Sequence, residues 1–338
     1  MTLLITQDII ERLYSVEQAI PVIEKTFAMA GRGTTENPAR FVLPLQDGFM
    51  RIGAAALHEK RVVGFKLWAN FGSGPSQSWN YLFSSESGEL LAIMHAYSLG
   101  RFRTSAATAV AVKYLARPDA SSIGLFGTGR LAQSQIRAVT AVRSIKWVKA
   151  YSRTEKSRLA FCEEASRNLG IPFSPAKSPQ EAAGDVDIIL TITNSHYPVV
   201  HGKWMTRPGL VLGIGANQWF EREIDHDLVK SAGLIVVDHK EQAKHESGDL
   251  LWAAAHGVMS WDRVRELGEI VIGHVKLPDL GRSTVLFESH GIAIEDVAVS
   301  VEVYELARAQ GLGTEISLNL GKARSELVSP GVTVPVRR

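Results

Sequence analysis

A glycine-rich turn is the first feature of this sequence suited to binding a ligand. The apolar run SIGLF leads directly into GTGRLA at residues 127–132, which matches GxGxxA between a strand and a helix. Gly127 would permit the tight turn, and Gly129 would let a pyrophosphate approach backbone N–H groups at the helix N-terminus. The pattern therefore predicts a dinucleotide site. Its predicted contacts are Gly127, Thr128, Gly129, Arg130 and Leu131.

A second segment bears on which dinucleotide binds. Enzymes that use NAD usually carry Asp or Glu about 20 residues after the turn, whereas YSRT stands here at residues 151–154. Arg153 could grip a 2′-phosphate in forked geometry, with hydroxyl donors from Ser152 and Thr154. The segment favours NADP(H) over NAD(H), and the alternative is a solvated Arg153 beside a generic turn. Two further candidate cofactor contacts follow later predicted strands: Thr193 and His290.

Other chemistries find less support in the sequence. His245 with Glu246 and Asp249, and His290 near Asp296, match no strong zinc or hydrolase signature. The chain also lacks the GxSxG pattern of a nucleophile elbow. We therefore expect no metal site and no covalent hydrolase, and hydride transfer fits best.

The composition describes an ordinary globular protein. The 338 residues allow two domains, 45% are hydrophobic, 21% are charged, and the net charge is +2. Lys and Arg are scattered, which argues against nucleic acid as a partner. Cys162 is the only cysteine and suits a reducing compartment, and no window reaches the roughly 20 apolar residues of a membrane span. These features predict a cytoplasmic protein.

The first third of the chain changes its pattern twice. Residues 7–32 carry apolar side chains at spacings of three and four, which predicts helices. Short apolar runs cut by polar and glycine-rich pieces follow over residues 40–94 and predict strands of one sheet. Residues 102–115 are rich in alanine and predict a helix, which ARPDASS ends. We place a domain junction near Pro118.

Beyond Pro118, apolar runs alternate with helical stretches. The six runs SIGLF, WVKAY, VDIILTI, LVLGIGA, LIVVD and TVLFE predict an α/β fold with a Rossmann-type, doubly wound parallel sheet over residues 118–299. A helical stretch after Gly291 would then leave this sheet. We expect it to join a second, α+β domain built from both chain ends, residues 1–117 and 300–338. The final SPGVTVPVRR has the composition of a frayed tail.

Six islands of sequence together resemble the ornithine cyclodeaminase/mu-crystallin family. They are VVGFKLWANF, FRTSAATAVAVKYLAR, GTGRLAQSQ, GIGANQWFEREID, EQAKHESGD and FESHGIAIEDVAVSVEVYE, in the family's order. The resemblance implies a Rossmann domain joined to a domain that binds substrate and forms a homodimer. It also implies a small amino or imino acid as the substrate.

The resemblance assigns roles to three cations. Arg103 resembles the family's carboxylate-binding arginine, Lys66 its active-site lysine, and Arg40 a second carboxylate-binding arginine. An arginine fork can hold a carboxylate in two places, and a lysine can move a proton at the reacting nitrogen. From the residues alone, the favoured interpretation is that Lys66 snorkels from a strand and that Arg103 caps or pairs within its helix, and the resemblance reverses this preference.

The chain departs from the family pattern at Asn217, where cyclodeaminases carry an aspartate as catalytic base. An amide cannot take that proton, so Asn217 is expected to orient the substrate. Leu131 replaces a common glutamine and Glu288 a usual aspartate, and neither change removes the dinucleotide fold.

Three hypotheses for function follow. The first is an NADP(H)-dependent oxidoreductase that reduces a cyclic or linear C=N bond next to a carboxylate, or in reverse an amino acid dehydrogenase. The second is a cyclodeaminase that releases ammonia with bound NAD(P)+, against which Asn217 counts. The third is a crystallin-like protein that binds NADPH and a small ligand without turnover.

Overall fold

A computed structural model describes residues 1–72 and 74–318 of the chain. The terminal SPGVTVPVRR, predicted to be a frayed tail, lies outside the described residues. The strands are β1 Thr2–Ile5, β2 Thr35–Glu36, β3 Phe41–Leu45, β4 Gly48–Leu57, β5 Val62–Phe71, β6 Gln77–Ser84, β7 Leu90–His95, β8 Ser122–Phe126, β9 Trp147–Tyr151, β10 Phe173–Pro175, β11 Ile188–Thr191, β12 Leu210–Gly213, β13 Leu234–Val237, β14 Val264–Glu266, β15 Val285–Glu288 and β16 Thr314–Ile316.

Helices connect and cover these strands. They are α1 Gln7–Leu13, α2 Val16–Gly31, α3 Tyr97–Leu115, α4 Ala132–Thr140, α5 Glu155–Leu169, α6 Pro179–Ala183, α7 His226–Ser231, α8 Lys240–Glu246, α9 Gly248–Ala255, α10 Leu267–Val271 and α11 Ala293–Ala309. None of the helices in the described part of the chain is long and apolar enough to cross a membrane.

The first sheet holds the strands of residues 40–94 together with both ends of the described chain. Its order is β16-β1-β7-β6-β5-β4-β2, and β3 pairs with β4. The long strands β4, β5, β6 and β7 pair antiparallel, while β1 joins β7 in parallel. Helix α11 packs on β4, β5 and β6, and α2 and α3 pack against α11. Functional side chains from β4 and β5 are therefore presented toward α11.

The second sheet has eight strands in the order β10-β9-β8-β11-β12-β15-β13-β14, and every pair is parallel. Strands β8, β11, β12, β13 and β15 are buried at every residue, as expected for strands covered on both faces. The chain runs outward from β8 in one direction and from β11 in the other. This change of direction creates a crevice at the carboxyl ends of β8 and β11. The predicted Rossmann-type fold is confirmed.

Helix α11 crosses the position at which the sequence analysis divided the chain. It is continuous from Ala293 to Ala309, so a boundary at residues 299 and 300 would cut a helix. Its first residues already pack on the first sheet, with Ala293 next to Gly53. The change of sheet thus falls close to Gly291 in the structure, and the domain ranges of the sequence analysis stay predictions.

Candidate active site

A cavity of about 1080 Å³ lies between the carboxyl ends of the second sheet and one face of the first. Nearly all the site residues predicted from the sequence line it, although they come from both sheets. Thr154 is the exception, because it stands exposed at the N-terminus of α5 and does not reach the wall. The predicted residues that line the cavity are Arg40, Lys66, Arg103, Gly127, Thr128, Gly129, Arg130, Leu131, Ser152, Arg153, Thr193, Asn217 and His290.

The glycine turn at residues 127–132 leaves open the space that a phosphate needs. Gly127 has φ +102°, and a Cβ there would lie 2.5 Å from the carbonyl oxygen of Ile192. Gly129 has no neighbouring atom within 4 Å of the Cβ position. In the described chain, no protein oxygen accepts from the N–H groups of residues 128–131, which precede α4. These residues fit a dinucleotide's pyrophosphate.

The segment after β9 forms the wall next to this turn. The Thr128 hydroxyl donates to Ser152 Oγ at 3.0 Å, and Arg158 Nη1 donates to the Ser152 carbonyl at 2.7 Å. These bonds fix the segment, while Arg153 is exposed at the edge of the cavity. Arg130 is also exposed there, with its guanidinium 4.3 Å from the centre of the Tyr97 ring. Two cations therefore stand where the cavity opens to solvent.

Lys66 and Arg103 share one carboxylate at the inner end of the cavity. Lys66 Nζ donates to Asp296 Oδ1 at 2.9 Å, and Arg103 Nε donates to the same oxygen at 3.2 Å. Burial lowers the pKa of Lys66, and the nearby Arg103 adds to the effect while Asp296 opposes it. Burial alone would raise the pKa of Asp296, but Arg103 and Lys66 hold it below its usual value. Asp296 was not assigned a role by the sequence analysis, because it follows Lys66 by 230 residues.

The residues around Arg103 position its guanidinium closely. Arg103 Nη1 donates to Glu295 Oε2 at 2.9 Å, and burial raises the pKa of Glu295 to about 8 although Arg103 opposes this. Gly291 has φ +72°, and a Cβ there would lie 2.2 Å from Arg103 Nη1. Among the described residues, none accepts from Arg103 Nη2, which is left for a ligand. We name Lys66, Arg103, Glu295 and Asp296 the Asp296 cluster.

Arg40 pairs with an acid of the second sheet's helices. Its Nε donates to Glu246 Oε1 at 2.6 Å, its Nη2 contacts the other oxygen of Glu246, and the same nitrogen donates to the carbonyl of His290 at 2.7 Å. The backbone N–H of Arg40 donates to Gln242 Oε1 at 2.9 Å. Arg40 thus connects the segment before β3 to α8 and to the loop after β15.

His290 lies in that loop, and its buried ring stands between two acids. Its Nδ1 is 3.5 Å from Asp238 Oδ1, and its Nε2 is 3.7 Å from Glu288 Oε2. Burial opposes protonation, but Asp238 and Glu288 raise the pKa of His290 to about 10. Asp238 also accepts from the N–H groups of His290 and Gly291, each at 2.7 Å. The two acids thus favour the protonated form of His290, and Asp238 holds the loop through the backbone N–H groups of His290 and Gly291.

A buried glutamate organises the loops after β11 and β12. Glu223 accepts from the N–H of Thr193 at 2.6 Å, from the N–H of Gly215 at 2.7 Å and from the Thr191 hydroxyl at 2.8 Å. Burial raises the pKa of Glu223 in spite of these bonds. The carboxyl group thereby sets the position of Thr193 on the cavity wall.

Asn217 faces an arginine that the sequence analysis missed. Arg51 Nη1 donates to Asn217 Oδ1 at 3.1 Å, and the guanidinium lies 4.6 Å from the ring centre of Phe49 and 5.1 Å from that of Trp68. Arg51 is only 4% exposed. The sequence did mark Arg51 as the only cation in the predicted strand MRIGAAAL. Whether it faces the cavity depends on how this strand pairs with β5.

The parallel sheet, the open glycine turn and the crevice at β8 and β11 define a Rossmann-type dinucleotide-binding protein. Residues 1–311 match the ornithine cyclodeaminase/mu-crystallin family. The alanine dehydrogenase of Archaeoglobus fulgidus is 33% identical over 326 residues, which cover 93% of this chain and 98% of that protein. The chain belongs to the ornithine cyclodeaminase/mu-crystallin family.

Solved structures agree with this membership. The Delta(1)-pyrroline-2-carboxylate reductase of Thermococcus litoralis, in complex with NADH and L-proline, has a TM-score of 0.88 and 31% identity, covering 93% of this chain and 100% of that one. An archaeal alanine dehydrogenase dimer with bound NAD has a TM-score of 0.88 and 33% identity, covering 94% and 99%. The resemblance stated from the six islands is confirmed.

Proposed function

We propose that this protein is an NADP(H)-dependent oxidoreductase that reduces a C=N bond next to a carboxylate, and in reverse oxidises an amino acid. The observation that carries the proposal is the Asp296 cluster, which shares one cavity with the open glycine turn. The alanine dehydrogenase and pyrroline-2-carboxylate reductase relatives act on substrates of this class. The bound dinucleotide supplies the hydride.

The cations of the site have two roles in this reaction, which are to bind the substrate carboxylate and to donate a proton. Arg103 Nη2, and Arg40 through its Nη1, donate to the substrate carboxylate, since neither nitrogen has an acceptor among the described residues. Lys66 Nζ gives its proton to the substrate nitrogen, and its lowered pKa makes this transfer easier near neutral pH. Asp296 holds the lysine at the nitrogen and balances its positive charge before the proton is transferred.

Asn217 favours this reaction over the cyclodeaminase alternative. Its side-chain oxygen accepts from Arg51, and an amide has no carboxylate with which to remove a proton during ring closure. In our proposal Asn217 orients the substrate. The crystallin-like alternative predicts binding without turnover, and the retained Lys66 and Arg103 argue against it.

The preference for NADP(H) rests on Arg153. It is exposed at the cavity edge, it follows β9 where NAD enzymes carry an acid, and Arg130 adds a second cation nearby. Arg153→Ala should therefore raise the Kd for NADPH by roughly tenfold to a hundredfold and change the Kd for NADH little. Arg167→Ala, an exposed arginine in the last turn of α5 and outside the cavity wall, serves as the control. Equal losses for both cofactors would refute the 2′-phosphate contact.

The reaction is tested by NADPH absorbance with purified protein. The panel contains cyclic imino acids, and 2-oxo acids paired with ammonia or methylamine. Oxidation of NADPH in proportion to amino acid formed is the expected result. Ammonia release from diamino acids with only catalytic amounts of cofactor would replace the proposal by the cyclodeaminase, and ligand binding without either would replace it by the binding protein.

We also propose that the protein is a homodimer. Strand β3 exposes apolar side chains throughout, with Phe41 60%, Leu43 41% and Leu45 44% exposed. A contiguous apolar patch of this kind is typical of a protein interface. The archaeal alanine dehydrogenase of similar structure is a dimer.

A further inference from the structure

Arg51 differs in its charge balance from Arg40, Lys66 and Arg103, the other cations at the inner end of the cavity. Arg40 pairs with Glu246, and Lys66 and Arg103 pair with acids of the Asp296 cluster. Arg51 forms no ion pair anywhere in the described residues, although it is more deeply buried than Arg40. Glu221 lies near it but accepts from the backbone N–H of Asn217 at 3.1 Å and does not line the cavity.

Burying a cation without a paired anion costs free energy, unless a ligand supplies the anion. Arg51 Nε is buried and has no acceptor among the described residues, and Asn217 Oδ1 accepts from Nη1 of the same guanidinium. The guanidinium lies over the rings of Phe49 and Trp68, whose π faces attract a cation but carry no net charge. Since the cavity wall includes Arg51, an anionic group of a ligand can reach it from the cavity.

Strand pairing sets the spacing between Arg51 and Lys66. In the β4–β5 register Lys66 lies opposite Gly53, and Arg51 lies opposite Trp68. Arg51 and Gly53 are two residues apart and share a face, so Arg51 is the diagonal neighbour of Lys66, about 7–8 Å away between Cα atoms. The side chains of Ala293 and Arg40 cover Gly53, with their Cβ atoms 3.3 Å and 3.6 Å from the position of a Cβ there. Arg51 and Lys66 therefore rise from the same face of neighbouring strands into one cavity, where a single small ligand can contact both.

We propose that Arg51 and Asn217 form a second anion subsite, which binds a carboxylate on the substrate's side chain. The preferred substrate is then an imino acid with two carboxylates, one at the Asp296 cluster and one at Arg51. Asn217 Nδ2 has no acceptor among the described residues and donates to the same carboxylate as Arg51. This inference deepens the proposed function and rests on it.

The first test compares acids with their amides. In the oxidation direction, kcat/KM is measured for L-aspartate against L-asparagine and for L-glutamate against L-glutamine. The wild-type protein should prefer at least one acid over its amide by roughly tenfold or more, and Arg51→Met should remove most of that preference. Arg32→Met, which removes an exposed cation paired with Glu59, should keep it. A wild-type protein that prefers neither acid over its amide would overturn the proposal, and so would an equal loss for acid and amide in Arg51→Met.

A binding measurement separates the subsite from the reaction. Calorimetry with the dinucleotide present compares glutarate with pentanoate, which lacks the second carboxylate. The wild type should bind glutarate roughly tenfold more tightly, and Arg51→Met should bind the two alike. If no substrate reacts but this difference holds, the subsite stands and the proposed reaction fails. If wild type binds both alike, the subsite is refuted.

A second variant covers the case in which Arg51→Met does not fold. Asn217→Asp keeps Arg51 and replaces the neighbouring amide by a carboxylate. One carboxylate oxygen then takes the place of Asn217 Oδ1, which accepts from Arg51 Nη1 in the wild type. The internal ion pair should compete with the ligand and weaken glutarate binding by roughly tenfold while pentanoate binding changes little. Unchanged glutarate binding in this folded variant would contradict the proposal.

Discussion

Lys66 and Arg103 are each held by an acid that is close in space but distant in the sequence. Both could be assigned to the site by resemblance, but the acids that hold them, Asp296 and Glu295, come from α11 at the other end of the chain. Arg51 could not be found from its own strand, because an arginine within an apolar run points either to solvent or to the cavity. The register of β4 on β5 decides between these directions.

We predict that Lys66 gives the reaction its alkaline limit. Burial lowers its pKa below the usual value of 10.5, and reduction needs the protonated form. The kcat/KM for imine reduction should therefore fall as pH rises through this pKa, whereas amino acid oxidation should rise over the same range. Lys66→Arg keeps a cation that does not titrate there, so its profile should lack the alkaline step even if turnover is lower. The same step in both proteins would assign it to another group.

Loops at the ends of β13 and β15 carry much of the site geometry. Asp238 accepts from the N–H groups of His290 and Gly291 and thereby supports the loop after β15, whose His290 carbonyl accepts from Arg40. The six runs predicted as strands of the second sheet were all found. Strands β10 and β14 were missed because runs of three residues carry too little periodicity to be recognised.

Gly291→Ala should disturb the Asp296 cluster through this loop. The left-handed backbone would cost about 1 to 2 kcal/mol, and the new Cβ would collide with Arg103 Nη1 at 2.2 Å. We expect kcat/KM to fall by about a hundredfold, because a carboxylate-binding group shifts by a large part of an ångström. Gly257→Ala has a similar φ of +67° and open space, so it should destabilise without affecting turnover. Equal kinetic losses in the two variants would show that strain alone is responsible.

Asp187 should stabilise the start of two central strands of the second sheet. It lies just before β11 and accepts from the N–H of Ser121 at 2.9 Å and from the hydroxyl of Ser122 at 2.7 Å. Burial opposes ionisation, but these bonds and two arginines hold its pKa below 3.8. A lowered pKa means that this stabilisation is complete above the unfolded value and is lost as pH falls through the folded one.

Asp187→Asn is therefore expected to reduce the free energy of unfolding by about 1.5 to 3 kcal/mol at neutral pH, measured by urea denaturation. The deficit relative to wild type should shrink as pH falls below about 4, because Asp187 of the wild type then protonates first in the unfolded chain and, at lower pH, in the folded protein. The exposed Asp185→Asn is the control and should change stability little. A deficit that stays constant down to the most acidic pH at which both proteins fold would rule out the charge of Asp187 as its cause.

The cavity forms where the two sheets face each other. Its existence therefore could not be predicted from patterns within either sheet. Hydrophobic patterns and the glycine turn predicted each sheet separately. The cavity wall combines Lys66 from β5, Asn217 after β12 and Arg153 after β9. Their relative placement depends on α11, which leaves the second sheet at Gly291 and packs on the first. No local pattern contains that information, so the resemblance to known relatives was needed to join the parts.

Dimer formation should be coupled to substrate binding, because β3 begins directly after Arg40. Strand β3 pairs only with β4 in the described chain, so its second edge and its exposed apolar side chains are open to another copy. Leu43→Lys should place charge in that interface, give a monomer by light scattering, and raise KM about tenfold by loosening Arg40. Dinucleotide affinity should persist, since the glycine turn lies on the other sheet.

Leu159→Lys, at an exposed site on α5, should stay dimeric with normal KM. A Leu43→Lys protein that remains dimeric would move the interface elsewhere, and a monomer with normal KM would separate assembly from the site.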